Sequence, residues 1–346
     1  MIACSSMFYA QNAYSVGSTP YSVAIGDVNN DGKSDIVVAN KDSSSVGVLL
    51  NTGSGTFSAQ TNYSVSSSPW SVAIGDMNND TKLDIVVANS GSNTVGVLLN
   101  IGNGTFSSQI TYAVGSSPYS VAIGDMNNDT KLDIVVANSG SNTVGVLLNI
   151  GNGTFSSQIT FAVGTTPYSV AIGDMNNDSK LDIVVANKGG TTAGVLLNAG
   201  NGTFSSQITY AVGSSPWSVA IGDMNNDTKL DIVVANSGSN TVGVLLNIGN
   251  GTFSSQTTYS VSAYPWSVAI GDMNNDSKLD IVVANKGSNT VGVLLNAANG
   301  TFSSQTTYSV GAYPCLVATG DVNNDGKPDI VVPNYGSNTA GVLLHC

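Results

Sequence analysis

A block of 49 residues occurs seven times in this chain of 346 residues, and that repeat restricts the possible folds more than any other feature. Each copy contains the segment Gly-Asp-(Val/Met)-Asn-Asn-Asp. In the seven copies, the first Asp of this segment is Asp27, Asp76, Asp125, Asp174, Asp223, Asp272 and Asp321. A fixed period of this length indicates a repeat architecture, in which each unit buries its apolar face against its neighbours.

Each copy has the pattern of four short strands separated by turns. In the second copy, apolar or alternating runs cover residues 70–75, 85–88, 95–99 and 106–114, and no stretch has a helical period. Four antiparallel strands in each of seven units predict an all-β fold, namely a seven-bladed β-propeller that forms a single domain over residues 1–346. An open solenoid is the alternative.

The two ends of the chain favour a closed ring over the solenoid. Phe8 aligns with Phe57 and Phe106, so the chain begins with the fourth strand of a blade, at about residues 7–16. It ends after the third strand of the seventh copy. We therefore predict that the N-terminal strand completes the last blade, which leaves no unpaired terminal edge.

The three cysteines can be placed in the repeat. Cys4 and Cys346 fall at neighbouring positions of the turn where the two ends of a closed ring meet. We predict a disulfide between them, which would imply an oxidising, extracellular compartment; two terminal thiols are the alternative. Cys315 stands where most other copies have an aromatic residue, and we expect it to be an unpaired thiol.

The charged residues argue against several classes of function. The chain contains no Arg, no Glu and one His, His345. With ten Lys and twenty-two Asp, it lacks the basic clusters that bind nucleic acid. The aliphatic runs are too short for a membrane-spanning helix. Without Glu or a well-placed His, general acid–base catalysis is not expected, so we predict that the protein is not an enzyme and has no catalytic residues.

The acidic residues are concentrated in seven loops. Each loop has the pattern Asp-x-Asn-x-Asp-x-Lys-x-Asp, and only Asp42 lies outside these loops. Side-chain oxygens at positions 1, 3, 5 and 9 and a backbone carbonyl at position 7 can surround a Ca²⁺ ion. An EF-hand is excluded because position 12 is apolar, as at Val87. Asx turns without metal are the alternative, although three carboxylates in nine residues repel one another unless they are neutralised.

We predict up to seven Ca²⁺ ions, one in each loop. In loop order, the candidate ligands are Asp27, Asn29, Asp31, Lys33 and Asp35; Asp76, Asn78, Asp80, Lys82 and Asp84; Asp125, Asn127, Asp129, Lys131 and Asp133; Asp174, Asn176, Asp178, Lys180 and Asp182; Asp223, Asn225, Asp227, Lys229 and Asp231; Asp272, Asn274, Asp276, Lys278 and Asp280; and Asp321, Asn323, Asp325, Lys327 and Asp329. Each Lys would contribute only its backbone carbonyl. Seven ions with two positive charges each would change the formal net charge from −12 to +2.

Loop position 6 distinguishes the middle sites from the outer ones. It is Gly32 in the first loop and Gly326 in the last, and glycine suits a positive φ. The five middle loops have Thr or Ser instead, at Thr81, Thr130, Ser179, Thr228 and Ser277. We expect these five sites to bind Ca²⁺ more weakly.

The loop and the strand that follows it resemble a known family. The segment from Asp27 to Val38, Asp-Val-Asn-Asn-Asp-Gly-Lys-Ser-Asp-Ile-Val-Val, is similar to the calcium hairpin of FG-GAP/VCBS repeats. Blades of this family are known from integrin α-chain propellers and from secreted bacterial and fungal proteins. The resemblance implies calcium loops between the first and second strands of each blade. The family's Phe-Gly is Tyr21-Ser22 here, and blade architecture carries over more safely than the choice of ligand.

Two further sets of residues bear on function. Asn-Gly-Thr sequons on turns are either N-glycosylation acceptors or simply suited to tight hairpins; they begin at Asn103, Asn152, Asn201, Asn250 and Asn299. Aromatic residues near the opposite face either fill the channel or form a stacking platform; they are Tyr21, Trp70, Tyr119, Tyr168, Trp217 and Trp266.

The leading functional prediction is a non-catalytic, extracellular, calcium-binding adhesion or interaction module with a protein or glycan ligand. One alternative is a structural subunit of an extracellular fibre or coat, in which copies of the chain form a homo-oligomer or filament. A calcium-stabilised lectin is the other alternative.

Overall fold

The structure is a computed structural model that describes residues 6–346. Seven four-stranded antiparallel sheets are arranged as blades in a ring, which confirms the predicted all-β propeller. Besides strands, the described residues contain two single 3₁₀ turns, Lys188–Gly190 and Lys286–Ser288. No helix in residues 6–346 has the length and apolar character needed to cross a membrane.

Each blade has an inner, a second, a third and an outer strand, named from the channel outward. The inner strands are Pro20–Gly26, Pro69–Gly75, Pro118–Gly124, Pro167–Gly173, Pro216–Gly222, Pro265–Gly271 and Ala318–Gly320. The second strands are Asp35–Asn40, Asp84–Asn89, Asp133–Asn138, Asp182–Asn187, Asp231–Asn236, Asp280–Asn285 and Asp329–Asn334. The third strands are Ser45–Leu49, Thr94–Leu98, Thr143–Leu147, Thr192–Leu196, Thr241–Leu245, Thr290–Leu294 and Thr339–Leu343. The outer strands are Thr61–Ser64, Ile110–Ala113, Ile159–Ala162, Ile208–Ala211, Thr257–Ser260, Thr306–Ser309 and, for the seventh blade, Asn12–Ser15.

The core lies between adjacent blades. Every residue of the second strands is buried, as expected for β-branched runs covered on both faces. Val37 and Val48 of the first blade pack in one cluster with Ile85 and Leu98 of the second. Seven such clusters follow the ring, so each blade covers the apolar face of the next.

The N-terminal strand closes the ring, as predicted. Asn12–Ser15 pairs antiparallel with Thr339–Leu343, with Asn12 opposite Val342. Phe8 extends this contact as an isolated bridge to His345. Cys4 lies outside the described residues, so its pairing with Cys346 stays a prediction.

The predicted fourth strand, which was expected to run from residue 106 to 114, is interrupted. Phe106 instead belongs to a small ribbon in which Thr105–Phe106 pairs with Asn100–Gly102, and the outer strand begins only at Ile110. The reason is a local hydrogen-bonded turn, because Ser107 both donates its N–H to the Leu99 carbonyl (2.8 Å) and accepts the Leu99 N–H on Oγ (3.0 Å). That turn places the two halves of the predicted strand in different sheets.

The same ribbon occurs in most blades. Its paired segments are Asn51–Gly53 with Thr56–Phe57, Asn149–Gly151 with Thr154–Phe155, Asn247–Gly249 with Thr252–Phe253, and Asn296–Ala298 with Thr301–Phe302. In the fourth blade only the Asn198–Phe204 bridge remains. The ribbon turn has positive φ at both central residues, 52° at Asn103 and 69° at Gly104. This backbone explains the Asn-Gly pair without reference to glycans.

Deleting residues 1–16 tests the closure. The deletion removes the outer strand of the seventh blade and leaves Thr339–Leu343 as an open edge. We expect a lower melting temperature and concentration-dependent oligomers in size-exclusion chromatography. As a control, a permuted chain that joins the two ends and opens at the Asn103–Gly104 turn keeps every strand and should remain monomeric. A monomeric deletion variant with unchanged melting would contradict the closure.

Candidate functional site

The seven acidic loops lie at one end of the ring, each between the inner and second strands of its blade. The second loop shows the common geometry. Asp76 Oδ1 and Asn78 Oδ1 both accept the N–H of Asp80, at 3.0 and 3.1 Å. Asp76 Oδ2 accepts the N–H of Thr81 at 2.7 Å. Side-chain oxygens from positions 1 and 3 therefore converge on one side of the loop backbone.

The Asp at loop position 9 faces the interior instead. Asp84 is fully buried, and its two oxygens accept backbone N–H groups of Met77 (2.9 Å) and Asn100 (2.7 Å). Burial raises the pKa of this carboxyl to about 6, because desolvation outweighs the two N–H groups that favour its ionised form. The other six loops repeat this arrangement and this pKa.

An asparagine that sequence reasoning missed connects each loop to the preceding blade. Asn100 Nδ2 donates to the carbonyl of Leu83 in its own blade (3.0 Å) and to that of Val28 in the blade before (2.8 Å). In the seventh blade, His345 takes this position, with Nε2 2.8 Å from the Met273 oxygen. The signal available in the sequence was an Asn at the same place in six copies, replaced by the only His.

The Lys at position 7 contacts the carboxylate at position 5. Lys82 Nζ lies 2.7 Å from Asp80 Oδ2, and six loops contain this pair. In the seventh loop, Lys327 Nζ instead donates to the Cys346 carbonyl. Both partners are about one-third exposed, so each pair adds little stability. The pair does neutralise one of the two outward carboxylates.

These loops fit calcium in part. Within residues 6–346, no three or more His, Cys, Asp or Glu side chains are grouped so that they could hold a metal ion. An ion would therefore depend on Asp76 and Asp80 together with the Asn78 amide and backbone oxygens, all of which are hard donors of the kind Ca²⁺ takes. The Asp84 carboxylate is also a hard oxygen donor, and its oxygens have lone pairs that the two N–H bonds do not use. Those two hydrogen bonds, however, orient the Asp84 side chain towards the interior of the protein. The Asx turns expected as the alternative are present in the same loops.

Loop position 6 has a positive φ in all seven loops, as its glycines suggested. The angle is 81° at Gly32 and 71° at Thr81, and the other five loops lie between 64° and 83°. Three of these loops have Thr at this position and two have Ser; both carry a Cβ that disfavours a positive φ, and Thr is also β-branched. Five loops therefore keep their shape against local backbone strain.

Thr81→Gly tests that strain. We expect the variant to stabilise the protein by about 1 kcal/mol, because relief of the left-handed strain exceeds the added entropy of the unfolded chain. Gly32→Thr is the matched control. A Cβ at Gly32 would have no heavy atom of another part of the chain within 4 Å, so we expect the loss of stability to come mainly from the positive φ. Chemical denaturation checks both variants, and a destabilised Thr81→Gly would contradict the strain.

The position-9 carboxyls predict an unusual pH dependence for the metal-free protein. Because their folded pKa is raised from 3.8 to about 6, the folded state holds protons that the unfolded chain has released. Their contribution is complete below about pH 4 and is lost as pH rises through 6. In excess chelator we therefore expect stability to fall between pH 4 and 7, by on the order of 1 kcal/mol or more per carboxyl.

Denaturant titrations at several pH values measure this slope. Asp84→Asn should flatten the dependence of stability on pH by about one-seventh, whereas Thr81→Gly in the same loop, which removes no carboxyl, should leave it unchanged. Stability that rises with pH across this window would contradict the assignment.

The aromatic residues at the opposite end fill the channel. Six of them form a ring of half-buried side chains, with centroids of neighbouring rings 4.0–4.7 Å apart; these are Tyr21, Trp70, Tyr119, Tyr168, Trp217 and Trp266. They leave a space of about 80 Å³, enough for a few water molecules but far smaller than a typical ligand cavity. Because neighbouring rings cover one another, we assign them to the channel plug rather than to a stacking platform.

Cys315 completes the ring in the seventh blade. It is a buried free cysteine, as expected, with Sγ 3.2 Å from the Pro20 carbonyl. Burial raises the pKa of its thiol to about 12, so the thiolate is not available at neutral pH. Cys315 therefore contributes packing rather than chemistry.

Solved structures that resemble this chain share its fold. BBS1N in complex with ARL6DN has a TM-score of 0.71 at 12% identity, with 99% of this chain and 98% of that chain covered. A virginiamycin B lyase from Staphylococcus aureus with quinupristin has a TM-score of 0.67 at 14% identity, covering 98% and 100%. An Agrocybe aegerita lectin that recognises non-reducing terminal N-acetylglucosamine has a TM-score of 0.56 at 20% identity, covering 84% and 80%.

Sequence comparison identifies the repeats themselves. No curated protein sequence matches the chain. The FG-GAP-like repeat matches six overlapping segments, residues 27–87, 76–136, 125–185, 174–234, 223–283 and 272–332. Together these segments span most of the chain and centre on the acidic loops and the strands that follow them. The chain belongs to the FG-GAP-like repeat family.

Proposed function

We propose that this protein is a non-catalytic interaction module, stabilised by calcium and acting outside the cell, with a protein or glycan ligand. A β-propeller built from FG-GAP-like repeats fits an interaction module. The observation that carries the proposal is the sevenfold repetition of one acidic loop at one end of a rigid ring. Loops on a rigid scaffold are common positions for recognition.

The charge distribution supports calcium. Each loop presents two outward carboxylates and an Asn amide, and a single Lys neutralises only one of those carboxylates in six loops. One outward carboxylate without a lysine partner remains in each of those six loops and two remain in the seventh, in agreement with the strongly negative formal charge of −12. A divalent cation in each loop would remove the resulting repulsion between the loops.

The distribution of acids and bases supports a non-catalytic role. Seven Asp residues are buried in loop position 9, and the only His contacts a backbone oxygen through Nε2. The free cysteine found within residues 6–346, Cys315, is buried and protonated. BBS1N is described in a complex with ARL6DN and the Agrocybe aegerita lectin recognises a sugar, so the same fold serves binding in other proteins. The extracellular placement follows from the predicted disulfide between Cys4 and Cys346.

Self-assembly is the second candidate function. Ile101, Ile150 and Ile248 are about two-thirds exposed at the same ribbon position of three blades. Repeated apolar side chains on one end of a ring are suited to contacts between copies of the chain. Electron microscopy distinguishes the candidates, because the structural role requires polymers and the interaction module requires isolated rings.

Calcium dependence is the direct test of the leading proposal. Excess chelator should lower the melting temperature, because an ion at about 100 times its dissociation constant adds about 2.7 kcal/mol per site. Elemental analysis of the calcium-saturated protein should give up to seven Ca²⁺ per chain. Asp80→Asn should remove one ion, while the control Asp42→Asn, outside the loops, should keep the full number. Unchanged melting and no retained metal would refute the calcium assignment.

A further inference from the structure

Three lysines lie outside the acidic loops. All three are at the end of the channel opposite those loops, which we call the mouth. Lys41, Lys188 and Lys286 directly follow the second strands of the first, fourth and sixth blades. Each ammonium lies over an aromatic ring of the plug, with Lys286 Nζ 3.2 Å from the centroid of Trp266. The six ion pairs among the described residues all involve loop lysines, so none of these three has a carboxylate partner.

The surroundings of Lys286 differ from those of the other two. Its Nζ lies 5.9 Å from the ring centroid of Tyr313 and 5.5 Å from that of Tyr335. A third tyrosine, Tyr264, reaches the same turn, because its ring lies where a side chain on Gly287 would point. At the positions of Tyr264 and Tyr313 the other five blades have Ser or Thr. The sixth and seventh blades therefore break the repeat at one place on the mouth.

The fold does not require these tyrosines. Tyr264 and Tyr313 are 59% and 48% exposed, so they bury little apolar surface. Their φ angles are 52° and 55°, in the left-handed region where a bulky side chain is unfavourable. Strained and exposed aromatic residues beside an unpaired cation are typical of a binding site rather than of a structural element.

The chemistry of this cluster selects its ligand. Unlike the rings of the plug, the exposed parts of Tyr264 and Tyr313 offer free surface to the apolar face of a sugar. The Lys286 ammonium has three N–H donors, and the ring beneath it leaves donors for an anion. Burial lowers the pKa of this ammonium, so its charge is incompletely compensated by the aromatic rings.

We propose that Lys286, Tyr264, Tyr313 and Tyr335 form a binding site for a carboxylated saccharide. The carboxylate contacts the Lys286 ammonium, and the sugar ring lies against the exposed tyrosines. The space within the channel plug is too small for a sugar, so the ligand binds at the mouth. This proposal rests on the proposed interaction role, for which it names a ligand class.

Calorimetric titration of the calcium-saturated protein with methyl glucuronide tests the site. We expect one site per chain, no measurable binding of the neutral methyl glucoside, and affinity at least about tenfold lower in Lys286→Gln. Tyr313→Ser, which restores the residue found in several other blades, should keep the melting temperature and lose binding. Lys188→Gln removes the same charge from a part of the mouth without exposed tyrosines, and should bind normally.

A transplanted site provides a second, independent readout. Thr166→Tyr, Ser215→Tyr and Ser237→Tyr together place tyrosines around Lys188 at the positions that Tyr264, Tyr313 and Tyr335 occupy around Lys286. We expect the stoichiometry to rise from one to two. Equal binding of glucoside and glucuronide, equal binding of benzoate and glucuronide, or equal loss in Lys188→Gln and Lys286→Gln would overturn the proposal. No glucuronide binding, with thermal stabilisation by calcium intact, would overturn this site and leave the proposed module in place.

Discussion

The buried carboxylate at loop position 9 is the interaction on which the rest of the structure depends. In the second blade, Asp84 holds the start of its own loop through the Met77 N–H and the ribbon through the Asn100 N–H. Asn100 then reaches the loop of the preceding blade through the Val28 carbonyl. One carboxylate therefore joins loop, ribbon and neighbouring blade. Because the group is desolvated, its two N–H partners cannot be lost without a large cost, which keeps successive blades in register.

The two ends of the ring differ because the repeat is conserved in the loops and varies at the mouth. The loop end presents the same oxygen donors seven times, with Asn and Asp side chains organised by their own backbone N–H groups. The mouth carries the three lysines outside the loops and the exposed Tyr264 and Tyr313. Under the proposed function, calcium in the repeated loops stabilises the ring, and the proposed saccharide site lies where the sixth and seventh blades differ from the others. The two proposed roles therefore lie at opposite ends of the propeller.

The sequence predicted the blades well because their periodicity has a direct physical meaning. The continuous apolar run from Ile85 to Ala88, repeated every 49 residues, can be buried on both faces only by stacking similar sheets. The positive φ at loop position 6 could also be inferred, since Gly32 marks the backbone that Thr81 must share. The interruption of the fourth strand could not be inferred from the sequence. The interruption depends on two hydrogen bonds between Ser107 and Leu99. A continuous strand and an interrupted strand would show the same alternation of apolar residues.

By itself, the sequence determined the number of blades, the closure by the N-terminal strand and the position of the acidic loops, because these follow from the repeat and from where it is cut. Only the tertiary structure decided the orientation of Asp84, since an Asp can face an ion or the interior with the same local spacing. Only the tertiary structure showed that the aromatic residues cover one another in the channel while Tyr264 and Tyr313 remain exposed beside Lys286. These arrangements join residues of different blades, and contacts across the ring are not encoded in any local pattern.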